Sequence, residues 1–206
     1  MENEKKRVIF ICSLPKDENL LRFIEEIGEI EDRLLRGAAR DQFEFMLKLA
    51  VKPPDIRKVV AETPNIRLPH LLHFSLHGDR EEGLVFADSK QERAPQKVEY
   101  FESFFKMINK RGQQQIQGLL FNVCHSSYFA ERLKEFVSFS IGVEGYIPDE
   151  ASIAFSRGFY GALFDGYSEK DAFDEGIDAV NQWVISQNIE VTDGGIPYNE
   201  RFRLFV

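Results

Sequence analysis

Apolar runs of strand length alternate with amphipathic stretches of helix length along the chain. The first run, residues 7–13 (RVIFICS), is apolar through its centre and rich in β-branched residues. Such a run is typical of a strand that is covered on both faces. Residues 43–51 predict a second strand, although a helix remains open there. Three more strands are predicted over residues 71–76, 118–123 and 138–143.

The amphipathic stretches predict helices between these strands. A helix over residues 18–36, which Asp17 can cap, carries an apolar stripe on one side and Glu and Arg on the other. The stripe consists of Leu20, Phe23, Ile24, Ile27, Ile30 and Leu34. Further helices are predicted over residues 55–61, 100–109, 127–136, 148–164 and 169–186.

The order of these elements predicts the fold class. Strands that alternate with helices form a parallel sheet with helices on both faces. A short strand over residues 83–87 is predicted as half of a hairpin, and residues 202–206 as an edge strand. The chain is therefore predicted to be a single α/β domain over residues 1–206, a three-layer α/β/α sandwich with a mostly parallel sheet.

Two of the predicted strands end at a reactive side chain. The run LLHFSLHG leads to His77 and Gly78, and the run GLLFNVCHSS leads to Cys124. If these strands are parallel neighbours, the imidazole and the thiol meet at the carboxyl edge of the sheet, where open α/β sheets carry their sites. A lone Cys or a lone His at a strand end is more often a packing residue. Together, they form the hypothesis of a Cys/His hydrolase.

The chemistry of such a pair requires an activated thiol. A thiol attacks an acyl carbon as the thiolate, so it needs a base or a lowered pKa. Groups at the ends of adjacent strands, about 4.8 Å apart, come within reach of each other. Cys124 is then predicted to be the nucleophile and His77 the general acid/base. The backbone N–H groups of Gly78 and Cys124 are predicted to form an oxyanion hole.

Composition limits the function classes. The chain of 206 residues has a formal net charge of −8, which gives no electrostatic footprint for nucleic acid. No apolar run is long enough for a membrane span of about 18 residues, and no signal peptide precedes the first strand. Two cysteines, Cys12 and Cys124, argue for a reducing compartment rather than a disulfide framework. The expectation is a soluble cytoplasmic protein with neither nucleic acid nor membrane as a partner.

Other candidate sites have a weaker basis. The four histidines and two cysteines include no closely spaced ligand pairs, so no metal is predicted. Glycine-rich phosphate loops are absent from the sequence, and no cofactor is expected. His73 shares a strand face with His77 and is predicted to be a hydrogen-bonded core residue. Cys12 is predicted to be a small buried hydrophobe.

Several segments together resemble the CHAT family of caspase-like cysteine proteases, which also resembles separase. They are PHLLHFSLHG, GLLFNVCHSS and SIGVEGYIPDEASIAFSRGFYGALFDGYSEKDAF, and the similarity extends to the first strand and to LLRFIEEIGEI. The resemblance therefore covers nearly the whole chain. It implies a caspase-like sheet, with His77 and Cys124 as the catalytic dyad.

The resemblance also implies a preference for a basic residue before the scissile bond. Asp149 matches the position of the substrate-binding Asp of separase, although an Asp after a Pro is also an ordinary helix N-cap. Asp17, beyond the first strand, is a second candidate for the same cleft or a helix cap. Asn122 lies two residues before Cys124, where metacaspases tend to carry an acidic residue.

These features predict a cysteine endopeptidase that cleaves a protein substrate after Arg or Lys. Domains of the resembled family usually sit beside sensor or repeat modules, and in bacteria they resemble effectors of defence pathways. A regulatory partner or sensor module is therefore expected.

Two alternatives remain open. One is a catalytically inactive caspase-like scaffold for protein interaction, and the other is a binding module of the receiver or flavodoxin kind.

Overall fold

Nine strands are present in the computed structural model, which describes residues 5–18, 22–61, 70–110, 116–189 and 196–206. In chain order they are β1 (Lys6–Cys12), β2 (Phe43–Lys48), β3 (His70–Ser75), β4 (His77–Asp79), β5 (Gly83–Ala87), β6 (Arg93–Gln96), β7 (Gly118–Asn122), β8 (Phe139–Val143) and β9 (Phe202–Phe205).

Six of the strands form the main sheet, in the order β2-β1-β3-β7-β8-β9. The first five run parallel, and β9 pairs antiparallel with β8 at the edge. The strands β3 and β7 are direct parallel neighbours, with Ser75 opposite Asn122. This pairing confirms that the strands leading to His77 and Cys124 are adjacent.

The other three strands form a small antiparallel sheet in the order β4-β5-β6. His77 begins β4 immediately after the end of β3, and it pairs with Val85 of β5. The predicted hairpin strand is thus confirmed, while β6 was not predicted. Pro95 lies in β6, an edge strand, where a missing backbone donor is tolerated.

In the part of the chain that the structure describes, six α-helices cover the two faces of the main sheet. They are α1 (Phe23–Arg36), α2 (Ile56–Ala61), α3 (Val98–Lys110), α4 (Ser127–Leu133), α5 (Asp149–Asp165) and α6 (Glu169–Gln187). Residues of α1, α5 and α6 build the core on one face. Residues of α2, α3 and α4 build the core on the other face. The predicted three-layer α/β/α architecture is therefore confirmed.

The alternation of side chains along β1 shows why its sequence is apolar throughout. Val8, Phe10 and Cys12 belong to the core beneath α1 and α5. Ile9 and Ile11 belong to the core on the opposite face. Successive residues of a strand point to opposite faces, so a central strand needs apolar side chains at every position. Cys12 is buried in this strand, as predicted.

The start of the first helix differs from the prediction. The helix α1 begins at Phe23 rather than at residue 18, and its N-cap residue is Arg22. Asp17 lies in a turn after β1 and is exposed, so it does not cap this helix. Leu20 lies outside the described residues. The described residues of this turn, Lys16, Asp17 and Glu18, are charged and offer no apolar side chain for a helix to bury.

The apolar stripe of α1 also differs in detail. Ile27 and Ile30 are buried as predicted, but Ile24 is 81% exposed. Glu26, which was placed on the polar side, is only 3% exposed. A helix places residues three and four apart on one face, so Glu26 shares its face with Phe23 and Ile30. Among the described helices, none is both long and apolar enough to cross a membrane.

Candidate active site

A small cavity lies beyond the carboxyl ends of β3 and β7. Its volume is about 40 Å³, which is room for a few water molecules. Both predicted reactive side chains line it. The lining consists of Arg22, Phe23, Glu26, Ser75, Leu76, His77, Asn122, Cys124, Ile147, Asp149, Ser152 and Ile153.

The Cys124 thiol lies in the turn between β7 and α4 and is half-buried. The N–H of Ile147 donates to its sulfur at 3.3 Å, and the carbonyl oxygen of Ile147 lies 3.6 Å from it. Burial raises the pKa of this thiol above its ordinary value, while the Ile147 N–H acts in the opposite direction. The thiol is therefore protonated at neutral pH and requires a base to become a nucleophile.

Gly78 holds the small sheet against the turn that carries Cys124. A Cβ at this position would lie 2.0 Å from the carbonyl oxygen of Cys124 and 2.6 Å from a methyl carbon of Val123. Only a residue without a side chain permits this approach. His77, the preceding residue, lines the same cavity as Cys124. The predicted role of the Gly78 and Cys124 N–H groups as an oxyanion hole stays a prediction.

Asp149 reaches the same cavity from the start of α5. The N-cap of that helix is Pro148, so Asp149 is a first-turn residue and not the cap that its sequence position suggested. Its Oδ2 accepts a hydrogen bond from the backbone N–H of Arg22 at 3.2 Å. Burial raises the pKa of Asp149, and the hydrogen bond from the Arg22 N–H acts in the opposite direction. Asp149 and His77 both line the cavity.

Asp17 is exposed and is not among the described residues that line the cavity. Its substrate-binding role stays a prediction.

Glu26 forms the floor of the cavity and was not anticipated as a site residue. Its Oε2 accepts from the Ser75 hydroxyl at 2.7 Å, and its Oε1 accepts from Asn122 Nδ2 at 2.6 Å. Burial alone would raise the pKa of Glu26. His73 and the hydroxyls of Ser156 and Ser75 outweigh that effect and hold the pKa below its ordinary value.

A signal for Glu26 exists in the sequence. It lies three residues after Phe23 and four before Ile30, so helical geometry alone places a carboxylate on an apolar face. The strand residues that bind it, Ser75 and Asn122, each occupy the last position of their strand. Their contact with α1 depends on how the helix crosses the sheet, which the sequence pattern does not reveal.

The buried histidine His73 lies beneath this carboxylate. Its Nε2 lies 3.2 Å from Glu26 Oε1, and its Nδ1 lies 3.0 Å from the hydroxyl of Tyr160. The rings of His73 and Tyr160 stack at 5.7 Å between centroids. The prediction that His73 is a hydrogen-bonded core residue is confirmed.

Asn122 connects the floor of the cavity to α5. Its Nδ2 donates to Glu26, to the carbonyl oxygen of Ser152 at 3.1 Å and to the hydroxyl of Ser156 at 3.2 Å. Its Oδ1 is buried and has no hydrogen-bond partner among the described residues. Asn122 thus contributes an unused acceptor to the lining of the cavity.

Arg22 lies at the rim of the cavity. Its guanidinium pairs with Glu150 at 2.6 Å and with Glu25 one turn along α1. Within the described chain, no cluster of three or more His, Cys, Asp or Glu side chains is arranged to hold a metal ion. The cavity is lined by Cys124, by His77 and by two acidic residues, Glu26 and Asp149.

No protein-family model matches this chain. It is 28% identical over 164 residues to a protein of Gillisia limnaea named "Probable protease". That match covers 80% of this chain and 28% of the relative. It is also 25% identical over 177 residues to a "Roc-COR-CHAT protease" of an unknown prokaryotic organism. That match covers 82% of this chain and 16% of the relative.

The chain therefore spans less than a third of the length of these curated relatives. Among solved structures, the Drosophila initiator caspase Dronc superposes with a TM-score of 0.61 at 10% identity. This likeness covers 99% of this chain and 80% of the caspase. The chain has a caspase-like three-layer α/β fold, with Cys124 and His77 on one cavity at the carboxyl edge of its main sheet.

Proposed function

We propose that the protein is a cysteine endopeptidase in which Cys124 is the nucleophile and His77 the general acid/base. The observation that carries the proposal is the position of both side chains on one cavity beyond two neighbouring parallel strands. The two protease-named relatives support the same activity. A caspase-like fold alone would not, because one fold hosts many functions.

The proposed reaction follows from the protonated state of Cys124. His77 removes the thiol proton, and the sulfur attacks the carbonyl carbon of the scissile peptide bond. As the C–N bond breaks, His77 returns that proton to the leaving amine, and a thioester remains on Cys124. Water then attacks the thioester with His77 as the base, which releases the acid product and restores the thiol.

The N–H groups of Gly78 and Cys124 would stabilise the oxyanion of each tetrahedral intermediate. The close packing of Gly78 on the Cys124 backbone supports this role, since it fixes the two peptide groups relative to each other. One such donor typically contributes about 2.7–4 kcal/mol to the transition state.

The substrate is proposed to be a protein with a basic residue before the scissile bond. The carboxylates of Asp149 and Glu26 line the cavity, and Asp149 is the proposed contact for the basic side chain. Asp17 remains a proposed outer contact. With a volume of about 40 Å³, the cavity admits a long side chain only when the residues around it move apart.

The proposed setting is a gated effector in a bacterial signalling or defence pathway, active in the cytoplasm. The relatives are several times longer than this chain, which supports a larger architecture in which other modules or a partner control the site. Neither nucleic acid nor a membrane is proposed as a partner.

A catalytically inactive scaffold is the second candidate. The observation that favours it is the environment of Cys124, where burial raises the thiol pKa and the sulfur contacts the Ile147 peptide group. A sulfur held in this way is less nucleophilic than a free thiolate.

Labelling with iodoacetamide separates the two candidates. We expect alkylation of Cys124 in the wild type and about tenfold slower alkylation in His77→Ala, because the base is lost. His125→Asn is the matched control, since it changes the neighbouring histidine but keeps a residue that tolerates its positive φ of 57°. Equal rates in the wild type and His77→Ala would disprove the dyad.

Digestion of a peptide library tests activity and specificity together. The wild type is expected to cleave after Arg or Lys, and Cys124→Ala is expected to cleave nothing. Cys124 that stays inert to iodoacetamide, in a protein that cleaves no peptide with or without its partner modules, would establish the scaffold.

A further inference from the structure

We propose that Glu26 determines the specificity of the cavity for a cationic side chain, and that it acts through Asn122. This inference rests on the proposed cysteine peptidase function and adds a residue to it. Glu26 lies on α1, far in sequence from Cys124, yet it forms the floor of the cavity that Cys124 lines. Glu26 is a positioning residue, because the side chain that would contact the substrate is that of Asn122.

The carboxylate of Glu26 is held in one place by the surrounding donors. Ser75 donates to Oε2 at 2.7 Å, while Ser156 and Asn122 donate to Oε1 at 2.7 and 2.6 Å. Donors on three different elements therefore fix both oxygens. Their hydrogen bonds, together with His73, favour the ionised form, so Glu26 brings a negative charge to the base of the cavity.

This carboxylate also fixes the orientation of the Asn122 amide. An ionised carboxylate only accepts hydrogen bonds, so Asn122 must turn its NH₂ group toward Glu26. The same NH₂ group donates to the Ser152 carbonyl and to Ser156, which leaves Oδ1 on the remaining side. That oxygen is buried without a partner among the described residues.

An unpartnered buried acceptor is costly, and a donor that enters the cavity lined by Asn122 would satisfy it. The negative charge behind it selects a donor that carries a positive charge. The only Arg or Lys in the described lining is Arg22, which already pairs with Glu150 and Glu25. The ligand class that completes the site is therefore a guanidinium or an ammonium group supplied by the substrate.

The test compares two matched fluorogenic peptides that end in Arg or in citrulline, its neutral isostere. The ratio of their kcat/KM values measures how strongly the site selects positive charge. Glu26→Gln keeps the size of the side chain and removes its charge, so we expect this ratio to fall about tenfold. Glu31→Gln on the exposed part of the same helix is the control and should leave the ratio unchanged.

A relocated charge distinguishes specificity from structural damage. The double variant Glu26→Gln/Asn122→Asp moves the carboxylate to position 122 and leaves an amide donor at position 26. We expect it to restore the Arg to citrulline ratio to within a few-fold of the wild type. A residue with only a structural role would not be rescued in this way.

The outcomes separate this inference from the proposed function. If Glu26→Gln cleaves both peptides at the wild-type ratio, the role of Glu26 is overturned and the peptidase stands. If the wild type cleaves neither peptide with or without its partner modules, the proposed function fails, and the inference fails with it. Should Glu26→Gln not fold, Asn122→Ala replaces it, since it removes the acceptor that Glu26 orients, and an unchanged ratio there overturns the inference equally.

Discussion

Cys124, His77 and Glu26 show how burial and hydrogen bonding set the chemistry of individual residues. Burial raises the pKa of the Cys124 thiol, so the nucleophile of the proposed reaction depends on a base. Glu26 is more deeply buried, yet its pKa is held below the ordinary value by His73 and by serine hydroxyls. The difference arises because His73 and several hydrogen-bond donors outweigh the burial of Glu26, whereas the backbone N–H groups near the sulfur do not outweigh the burial of Cys124.

The lowered pKa of Glu26 predicts a loss of stability in acid. A carboxyl group with a lowered folded-state pKa stabilises the fold above its unfolded pKa, which for a Glu side chain is near the ordinary value of 4.5. That stabilisation disappears as the pH falls through the folded-state pKa. Between about pH 6 and pH 3, we therefore expect the Tm of the wild type to fall more than that of Glu26→Gln.

Differential scanning calorimetry at several pH values provides the measurement. Glu31→Gln, an exposed change of the same chemistry, should follow the wild-type curve. Parallel curves for the wild type and Glu26→Gln would show that Glu26 does not titrate differently in the folded and unfolded protein.

Two sheets meet at the candidate site, and short connections hold them together. His77 begins β4 shortly after the end of β3, so it belongs to the small sheet. Cys124 lies in the turn that follows β7 of the main sheet. Gly78 packs on the Cys124 backbone, and the hydroxyl of Ser13 accepts from the N–H of Ala87 at 2.9 Å. The position of His77 relative to Cys124 is therefore set by the contact between elements.

Replacement of Gly78 by Ala should disturb that contact. The new Cβ would lie 2.0 Å from the Cys124 carbonyl oxygen, so one of the two backbones must move. We expect a destabilisation of about 1–3 kcal/mol, which is typical of overpacking. We also expect the His77-dependent alkylation of Cys124 to be lost. Urea denaturation and iodoacetamide labelling measure the two effects.

Gly28→Ala is the matched control for this change. A Cβ at Gly28 meets no atom within 4 Å, and the residue lies inside α1. There the change should stabilise the protein by up to about 1 kcal/mol, because alanine favours a helix more than glycine does. If Gly78→Ala behaves like Gly28→Ala, the packing of the small sheet on the Cys124 turn is not what positions His77.

The whole molecule is organised by two cores on opposite faces of one sheet. The core beneath α1, α5 and α6 contains the polar network of Glu26, His73 and Tyr160, and Cys124 packs against its edge. The other core is rich in phenylalanine. The polar network that borders the cavity therefore lies on one face of the main sheet.

The edge strand β9, near the end of the described chain, contributes Phe202 to the core beneath α1, α5 and α6. Phe202 is buried and stacks on Phe155 of α5 with 4.0 Å between ring centroids. Phe202→Ala should lower the free energy of unfolding by about 3–5 kcal/mol, the usual cost of removing a buried ring. Chemical denaturation measures it.

Val206→Ala is the control for that prediction, since Val206 is 85% exposed and the change should stay within about 0.5 kcal/mol. Equal stabilities for Phe202→Ala and Val206→Ala would mean that β9 is not part of the cooperative core.

The sequence by itself determined the class of fold and the two strand ends that carry His77 and Cys124. Continuous apolar runs predicted buried parallel strands, and the runs that stop at His77 and Cys124 predicted where the reactive groups lie, because backbone periodicity is a local property. The helix start at Phe23 and the strand β6 were not predicted, because both depend on packing against distant segments.

Only the tertiary structure decided how the cavity is built. Glu26, Asn122 and Asp149 come from a helix, a strand end and a second helix, and their contacts join positions up to about 130 residues apart. The sequence prediction placed Glu26 on the polar side of its helix, although its spacing from Phe23 and Ile30 is a signal for an apolar face, and that spacing does not identify its partners. The crossing of α1 over β3 and β7 brings those partners together, and that crossing is set by the packing of the whole core.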